Sequence, residues 1–156
     1  MPGRVPHVAT GTELREGTVE PLVVRLRDRG WRLTAQRRVI AEAMTGEHTH
    51  LAADEVFERA RAALPEVSRA TVYNTLNQLV AMGELLEISH ADGRKRYDPN
   101  VAEHHHLVCV RCGDMLDVEA DDPDLPDHQQ HGFEVLGVEV TFWAYCPDCV
   151  RTGANA

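Results

Sequence analysis

The chain has 156 residues, 43% of them hydrophobic, which suits one large domain or two small ones. No apolar run approaches the roughly 20 residues that cross a membrane, and no continuous apolar segment like that of a signal peptide opens the sequence. We therefore expect a cytoplasmic protein without a membrane partner. In that compartment, four cysteines indicate metal binding rather than disulfides.

The net charge of −9 is concentrated in the last third of the sequence. Residues 20–98 contain twelve Lys or Arg and twelve acidic residues, whereas residues 99–156 contain two Arg and eleven acidic residues. This asymmetry predicts two modules, a neutral one that is able to approach nucleic acid and an acidic one suited to cations. A solvated acidic surface is the alternative explanation for most of these carboxylates.

Residues 1–17 are rich in Gly, Pro and Thr without an apolar period, and they predict a flexible tail. Four helices are then predicted from apolar periods and capping residues. The first begins at Thr18 and stops at Gly30, and the second follows the N-cap Thr34. The third spans 53–64 and ends before Pro65. The fourth spans 69–82, between Ser68 and Gly83. We expect the third helix to bury Val56, Phe57, Ala60 and Ala63.

Two short β-patterned runs, 85–89 and 94–97, follow the fourth helix and are joined by a turn at Ala91-Asp92-Gly93. Helices, a polar-faced helix and then a hairpin form the outline of a winged helix-turn-helix.

The exposed face of the fourth helix carries side chains that suit DNA. Arg69 is able to bind phosphate or guanine, Tyr73 a thymine methyl group, and Asn74 the edge of a base. Arg94 and Lys95 in the hairpin suit phosphate contacts. The alternative is an ordinary solvated helix face beside a basic hairpin.

The last third of the chain predicts a small sheet. Runs 104–111, 115–119 and 133–145 are β-patterned, and 120–127 is an acidic stretch with two prolines that predicts a loop or a very short helix. The apolar faces of these strands suit pairing with a second copy of the chain.

Two Cys-x2-Cys pairs, Cys109/Cys112 and Cys146/Cys149, are separated by 33 residues. Four thiolates fill a tetrahedral structural Zn²⁺ site and leave no open position, which also disfavours a metalloenzyme. A redox pair is the alternative. We disfavour it because neither pair is predicted at the start of a helix that follows a strand.

Three adjacent histidines precede the first pair. Strand alternation places His104 and His106 on one face and His105 on the other. Two imidazoles on one face predict either metal ligands or polar strand residues, and the run of three favours metal.

Four segments resemble the ferric uptake regulator (Fur) superfamily: WRLTAQR at 31–37, HLAADEVF at 50–57, SRATVYNTL at 68–76 and HHHLVCVRCG at 104–113. The resemblance covers about residues 18–150. It implies a dimeric, metal-dependent DNA-binding regulator rather than an enzyme. The implied fold is α+β, with a winged-helix domain (18–97), a hinge (98–103), an α/β dimerisation and metal-binding domain (104–150) that holds the zinc, and a tail (151–156).

The resemblance also implies a regulatory Fe²⁺ or Mn²⁺ site. Its ligands would be His50, Asp98, His104, His106 and Asp117. Positions 98 and 117 are both Asp, where iron-sensing Fur proteins typically carry Glu at both or at least at the second. Asp117, and Asn74 after Tyr73, are most similar to the peroxide-sensing PerR type. In that type, iron-catalysed oxidation of two ligand histidines, here His50 and His104, releases the metal.

The expected function is a repressor that controls oxidative-stress and metal-homeostasis genes from a palindromic operator in duplex DNA. The alternative is an iron-responsive Fur-type repressor of iron uptake genes. Arg32 matches a basic residue that enters the minor groove in this family. Glu103, His105 and Asp124 stand near the positions of a further metal site of the family, although Val138 replaces its distal histidine.

Overall fold

The computed structural model describes residues 20–46, 49–90 and 92–153. The predicted flexible tail (1–17), the predicted first residue of the first helix and the last three residues lie outside these ranges. The helices are α1 Leu22–Asp28, α2 Ala35–Ala43, α3 Ala53–Ala63, α4 Arg69–Ala81 and α5 Pro147–Arg151. The strands are β1 Leu86–Ser89, β2 Lys95–Asp98, β3 His105–Cys109, β4 Met115–Val118 and β5 Thr141–Ala144.

The predicted helix caps are present. The Thr34 hydroxyl accepts a hydrogen bond from the Arg37 backbone N–H at 3.3 Å, and the Ser68 hydroxyl accepts one from Thr71 at 3.1 Å. Helix α1 begins at Leu22 rather than at Thr18, because Pro21 precedes it and disfavours helical backbone in the residue before it.

Helices α1–α4 and the β1–β2 hairpin enclose one hydrophobic core. Ile40, Val56, Leu76 and Leu79 are completely buried in it. Phe57 is buried there too, but Ala63 is exposed, contrary to the prediction. Ala63 is the last residue of α3, and Leu64 directly after it leaves the helix with an extended backbone.

A single backbone bridge connects the loop after α2 to the hairpin. Leu51 and Tyr97 exchange two N–H···O bonds of 3.3 and 2.8 Å. In an antiparallel bridge the flanking residues face each other, so His50 is placed opposite Asp98 at the end of β2.

The second sheet has the strand order β4-β3-β5, with β3 and β4 antiparallel and β3 and β5 parallel. The predicted β-run 133–145 is a strand only at its end, in β5, because residues 133–140 pair with no strand of the described chain. Residues 121–126 have no regular structure, and a short 3₁₀ helix, Asp127–Gln129, follows them. In the described part of the chain, no helix is long and apolar enough to cross a membrane.

Candidate metal centres

Five side chains from separate parts of the chain converge at one point between the hairpin and the second sheet. They are His50, Asp98, His104, His106 and Asp117, and their ligand atoms all lie within 4.8 Å of one another. The Leu51–Tyr97 bridge brings the first two together, and the β3–β4 register sets His106 opposite Asp117. His104 directly precedes β3 and reaches the same side as His106, as strand alternation predicts.

The Asp98 carboxylate is the centre of this cluster. Its Oδ2 lies 2.8 Å from His104 Nε2, 3.2 Å from His50 Nε2 and 3.3 Å from His106 Nε2. Asp117 Oδ1 lies 2.7 Å from His50 Nε2 on the other side. The side chains of the three histidines and of Asp98 are at most 5% exposed.

Burial and hydrogen bonding compete for the charges of the metal-free cluster. Burial favours neutral His50, but hydrogen bonds to Asp117 and Asp98 outweigh it and raise its pKa to about 9. Burial would raise the pKa of Asp98, but hydrogen bonds from His104, His106 and His50 hold that pKa well below its usual range. In the metal-free cluster, the Asp98 carboxylate is therefore held ionised and His50 is held protonated beside it.

A divalent cation fits this donor set. His104 Nε2 and His106 Nε2 lie 3.0 Å apart, and both face Asp98 Oδ2. Two ligands about 2.1 Å from one ion and at right angles are about 3.0 Å apart. Three imidazoles with two carboxylates suit ions of intermediate hardness such as Fe²⁺ and Mn²⁺.

The four cysteines form a second, separate cluster. Their sulfur atoms lie within 4.8 Å of one another, and Cys112 Sγ is 3.7 Å from Cys146 Sγ. Sulfurs about 2.3 Å from a tetrahedral Zn²⁺ are about 3.8 Å apart. Backbone N–H groups of Cys112 and Cys146 lower the pKa of Cys109 to about 6, whereas burial raises the pKa of Cys149 to about 12, helped by the other sulfurs.

The prediction that neither cysteine pair stands at the start of a helix after a strand is wrong. Cys146 follows β5 and is the N-cap of α5, since its sulfur accepts from the Cys149 backbone N–H at 3.4 Å. A cysteine at a helix start after a strand was the feature expected of a redox pair. The convergence of all four sulfurs now carries the argument for a metal instead.

Among the residues that the structure describes, only these two groups bring together three or more possible metal ligands. His105 faces away from the first group, as predicted, and its Nε2 lies 2.8 Å from Asp122. Glu103 and Asp124, near the positions of a further family site, belong to neither group.

The residues predicted to contact DNA lie on the surface of the hairpin and of α4 and its neighbours. Tyr73, Asn74 and Arg94 are exposed, and a cleft of roughly 330 Å³ is lined by residues of α2 and α4 and of the segment before α2, among them Arg32 and Asn74. Arg69 pairs with Asp54 and stacks on Phe57, while Lys95 is 2.8 Å from Glu87. These two cations already have partners within the chain.

Two further residues touch the ligand cluster and were missed in the sequence. Asn100 donates hydrogen bonds to both carboxylates, and Glu139 Oε1 lies 3.6 Å from His106 Nδ1. Asp98-Pro99-Asn100 is a pattern typical of a side-chain-stabilised turn, and this could have drawn attention to Asn100. Nothing local marks Glu139, which approaches through the fold of a distant segment.

The fold and the two clusters define a class of protein: a winged-helix domain, of the kind that binds DNA, is joined to a second sheet by one set of possible metal ligands. The sequence matches the profile of the Ferric uptake regulator family over residues 28–143, and the chain belongs to this family. Regulators of this family are DNA-binding homodimers rather than enzymes. The family resemblance and the α+β fold class expected from the sequence are thereby confirmed.

Relatives are similar over most of the chain. The peroxide-responsive repressor PerR of Staphylococcus epidermidis is 30% identical over 86% of this chain and 92% of its own length. A Campylobacter jejuni peroxide stress regulator is 30% identical, with a TM-score of 0.60 over 82% of this chain and 98% of its own. The Helicobacter pylori ferric uptake regulator shares the fold, with a TM-score of 0.65 and 20% identity over 92% of this chain and 100% of its own.

Proposed function

We propose that this protein is a cytoplasmic, metal-dependent transcriptional repressor, without enzymatic activity, that responds to hydrogen peroxide. The observation that carries the proposal is the convergence of three histidines and two aspartates from both halves of the chain within 4.8 Å. Similarity to peroxide-responsive repressors over most of the chain supports the same function.

Each cluster has its own metal. Cys109, Cys112, Cys146 and Cys149 would hold a structural Zn²⁺ that ties the start of the second sheet to the end of the chain. His50, Asp98, His104, His106 and Asp117 would hold the regulatory Fe²⁺ or Mn²⁺.

The histidine–aspartate cluster suits a switch because its ligands come from two modules. His50 belongs to the proposed winged-helix module (18–97), and Asp98 begins the proposed hinge (98–103) at the end of β2. His106 and Asp117 are in the second sheet. One bound ion therefore fixes how the modules are oriented. In a homodimer, this orientation sets the distance between two α4 helices, and a palindromic operator accepts them about one helical turn apart or a multiple of it. Metal binding and DNA binding then share a coupling free energy.

DNA contacts are assigned to six residues. Tyr73 and Asn74 on α4 would read bases, and Arg32 would enter the minor groove. Arg69, Arg94 and Lys95 would bind phosphates, for which Arg69 and Lys95 must exchange their partners Asp54 and Glu87.

Peroxide sensing follows from the histidines of the cluster. Bound Fe²⁺ would supply electrons that break the O–O bond of peroxide, which Mn²⁺ does far less readily. Overall, one oxygen atom of the peroxide would be inserted at a C–H bond of the imidazole of His50 or His104, which is oxidised by two electrons, and the other oxygen would leave as water. An oxidised ring presents its nitrogens differently, so the ion is released and the two modules lose their fixed orientation.

The test compares the iron and manganese forms of the protein. Duplex DNA is first selected from a random pool by the Mn²⁺ form, and each form is then treated with low hydrogen peroxide. We expect the iron form alone to lose DNA binding, with a gain of one oxygen in the peptides that contain His50 or His104. DNA binding that survives peroxide in the iron form contradicts the proposal and favours an iron-responsive repressor.

A substitution at one ligand separates sensing from repression. Asp117→Glu keeps a carboxylate but lengthens it by one methylene. We expect this variant to bind DNA with Mn²⁺ as the wild type does, yet to lose its peroxide response in the iron form. Equal peroxide sensitivity in both proteins would show that the identity of this carboxylate does not matter.

A further inference from the structure

Asn100 lies in the segment between β2 and β3 and contacts both carboxylates of the histidine–aspartate cluster. Its backbone N–H donates to Asp98 Oδ1 at 2.7 Å. Its side-chain amide donates to Asp117 Oδ2 at 2.8 Å. Asn100 is half-buried, so these bonds are partly shielded from water.

The remaining oxygen of each carboxylate faces the histidines. Asp98 Oδ2 is 2.8–3.3 Å from the three Nε2 atoms, and Asp117 Oδ1 is 2.7 Å from His50 and 3.5 Å from His104. Each aspartate therefore uses one oxygen to bond Asn100 and presents the other to the point where the imidazoles meet.

The same residue is connected to a third ligand through the backbone. Asn100 Oδ1 accepts a hydrogen bond from the Ala102 N–H at 3.3 Å, and the Ala102 carbonyl is 2.7 Å from His104 Nδ1. Because a carbonyl only accepts, Nδ1 of His104 carries a hydrogen, and Nε2, which faces Asp98, is the ring nitrogen left for a metal ion.

We propose that Asn100 is a positioning residue of the metal site, where its side-chain amide holds Asp117 with a single oxygen directed at the ion. This inference rests on the proposed metal site. Partners that orient the ligands of a metal typically contribute a factor of 10–100 to its affinity. With Asp98 held in the same way by the backbone N–H, the chain offers five donor atoms, three nitrogens and two oxygens.

The test is a double-mutant cycle on Mn²⁺ affinity, measured in the zinc-loaded full-length protein. We expect Asn100→Ala to weaken Mn²⁺ binding about tenfold. In an Asp117→Ala background, the same substitution should change the affinity less than about twofold, because the bond it removes is already absent. Val101→Ala is the matched control, since it changes the adjacent side chain and keeps the amide, and its affinity should equal that of the wild type.

The cycle distinguishes positioning from a general structural role. A tenfold loss that persists in the Asp117→Ala background would mean that Asn100 acts on the fold and not through Asp117, and would overturn the proposal. An unchanged affinity for Asn100→Ala would overturn it too. Wild-type protein that fails to bind Mn²⁺ at these ligands would instead refute the proposed metal site itself.

A second measurement needs neither a metal nor a folded Asn100 variant. In metal-free wild-type protein, one side-chain amide proton of Asn100 should resonate downfield of free amides in the NMR spectrum, and Asp117→Ala should remove this shift. A free-amide position in the wild type would contradict the hydrogen bond on which the proposal depends.

Discussion

The two halves of the described chain differ in how much apolar surface they bury. Sixteen buried hydrophobic residues lie between Leu22 and Tyr97, but only Val108, Cys109 and Met115 lie beyond. Exposed large hydrophobic side chains show the opposite distribution. Eleven of the twelve lie after residue 100, and Tyr73 is the one before it.

This difference indicates that the two halves are stabilised in different ways. The first half has a core of the kind that supports a small domain by burial alone. The second half has too few buried side chains for that, and small units of this type depend on metals or on a partner. The cysteine cluster connects its two ends, and its exposed residues, Trp143 among them, offer apolar surface to a second copy.

Loss of zinc should have the largest effect, and it should unfold the second half alone. Structural zinc contributes on the order of 10 kcal/mol to the folding of small zinc domains. We expect Cys146→Ser, which keeps an N-capping oxygen but removes a thiolate, to abolish the protection of the amides in β3, β4 and β5 from hydrogen exchange. The amides of α2, α3 and α4 should remain protected.

Val150→Ala is the control for that experiment, because it changes an exposed side chain of the same helix α5. Its exchange pattern should match that of the wild type. If Cys146→Ser left the second sheet protected, zinc would not be what stabilises it. If the variant unfolded both halves together, the halves would not be stabilised separately.

A cavity in the first half is the converse test. Leu76 is completely buried in α4, and Leu→Ala changes at such sites cost about 2–5 kcal/mol. We expect Leu76→Ala to lower the melting temperature of the helical half, while the four cysteines stay protected from a thiol reagent by zinc. Asn77→Ala, on the exposed side of the same helix, should leave the melting temperature nearly unchanged. Rapid thiol labelling of Leu76→Ala would argue that the two halves do not unfold independently.

The first half was also the more predictable from sequence. Thr34 and Ser68 are caps. Apolar residues recur at helical spacing around Val56 in α3 and around Leu76 in α4, so local chemistry specifies these helices. Residues 133–140 have an equally clear β-pattern, but they form no strand, because pairing depends on a partner and not on pattern alone.

The candidate metal site divides in the same way. The four cysteines are recognisable from spacing. His50 and Asp98 are adjacent only because of the Leu51–Tyr97 bridge, which no local pattern reveals. Family resemblance supplied what residue spacing could not, and it still did not include Asn100.

A polar substitution on the exposed face of the second sheet tests directly whether that sheet pairs with a second copy of the chain. Trp143 on β5 is 56% exposed, and a central aromatic side chain in an interface contributes about 2 kcal/mol or more. We expect Trp143→Ser to weaken the dimer at least about 30-fold in sedimentation equilibrium. Tyr73→Ser, at the exposed aromatic residue of the first half, should leave the dimer unaffected, and an equal effect of both would show that dimerisation does not depend on the second sheet.

The smallest expected effect concerns the cluster that joins the two halves, in metal-free protein. Because the pKa of His50 is raised to about 9 in the folded state, protonated His50 stabilises the fold fully below its unfolded pKa of about 6.5. This contribution is lost as the pH rises through 9. The lowered pKa values of Asp98 and Asp117 act in the opposite sense, since their contribution is present above about pH 4 and is lost in acid.

The contribution of the cluster should therefore be largest between about pH 4 and 6.5. From pH 6.5 to 9, we expect the free energy of unfolding of the wild type to fall by about 2 kcal/mol more than that of His50→Gln, measured by urea denaturation. His128→Gln, at an exposed histidine, should follow the wild type. Bound Mn²⁺ takes the place of the proton, so saturation with the ion should remove the difference in slope. Parallel curves for metal-free wild type and His50→Gln would mean that His50 is not held in its charged form by the two aspartates.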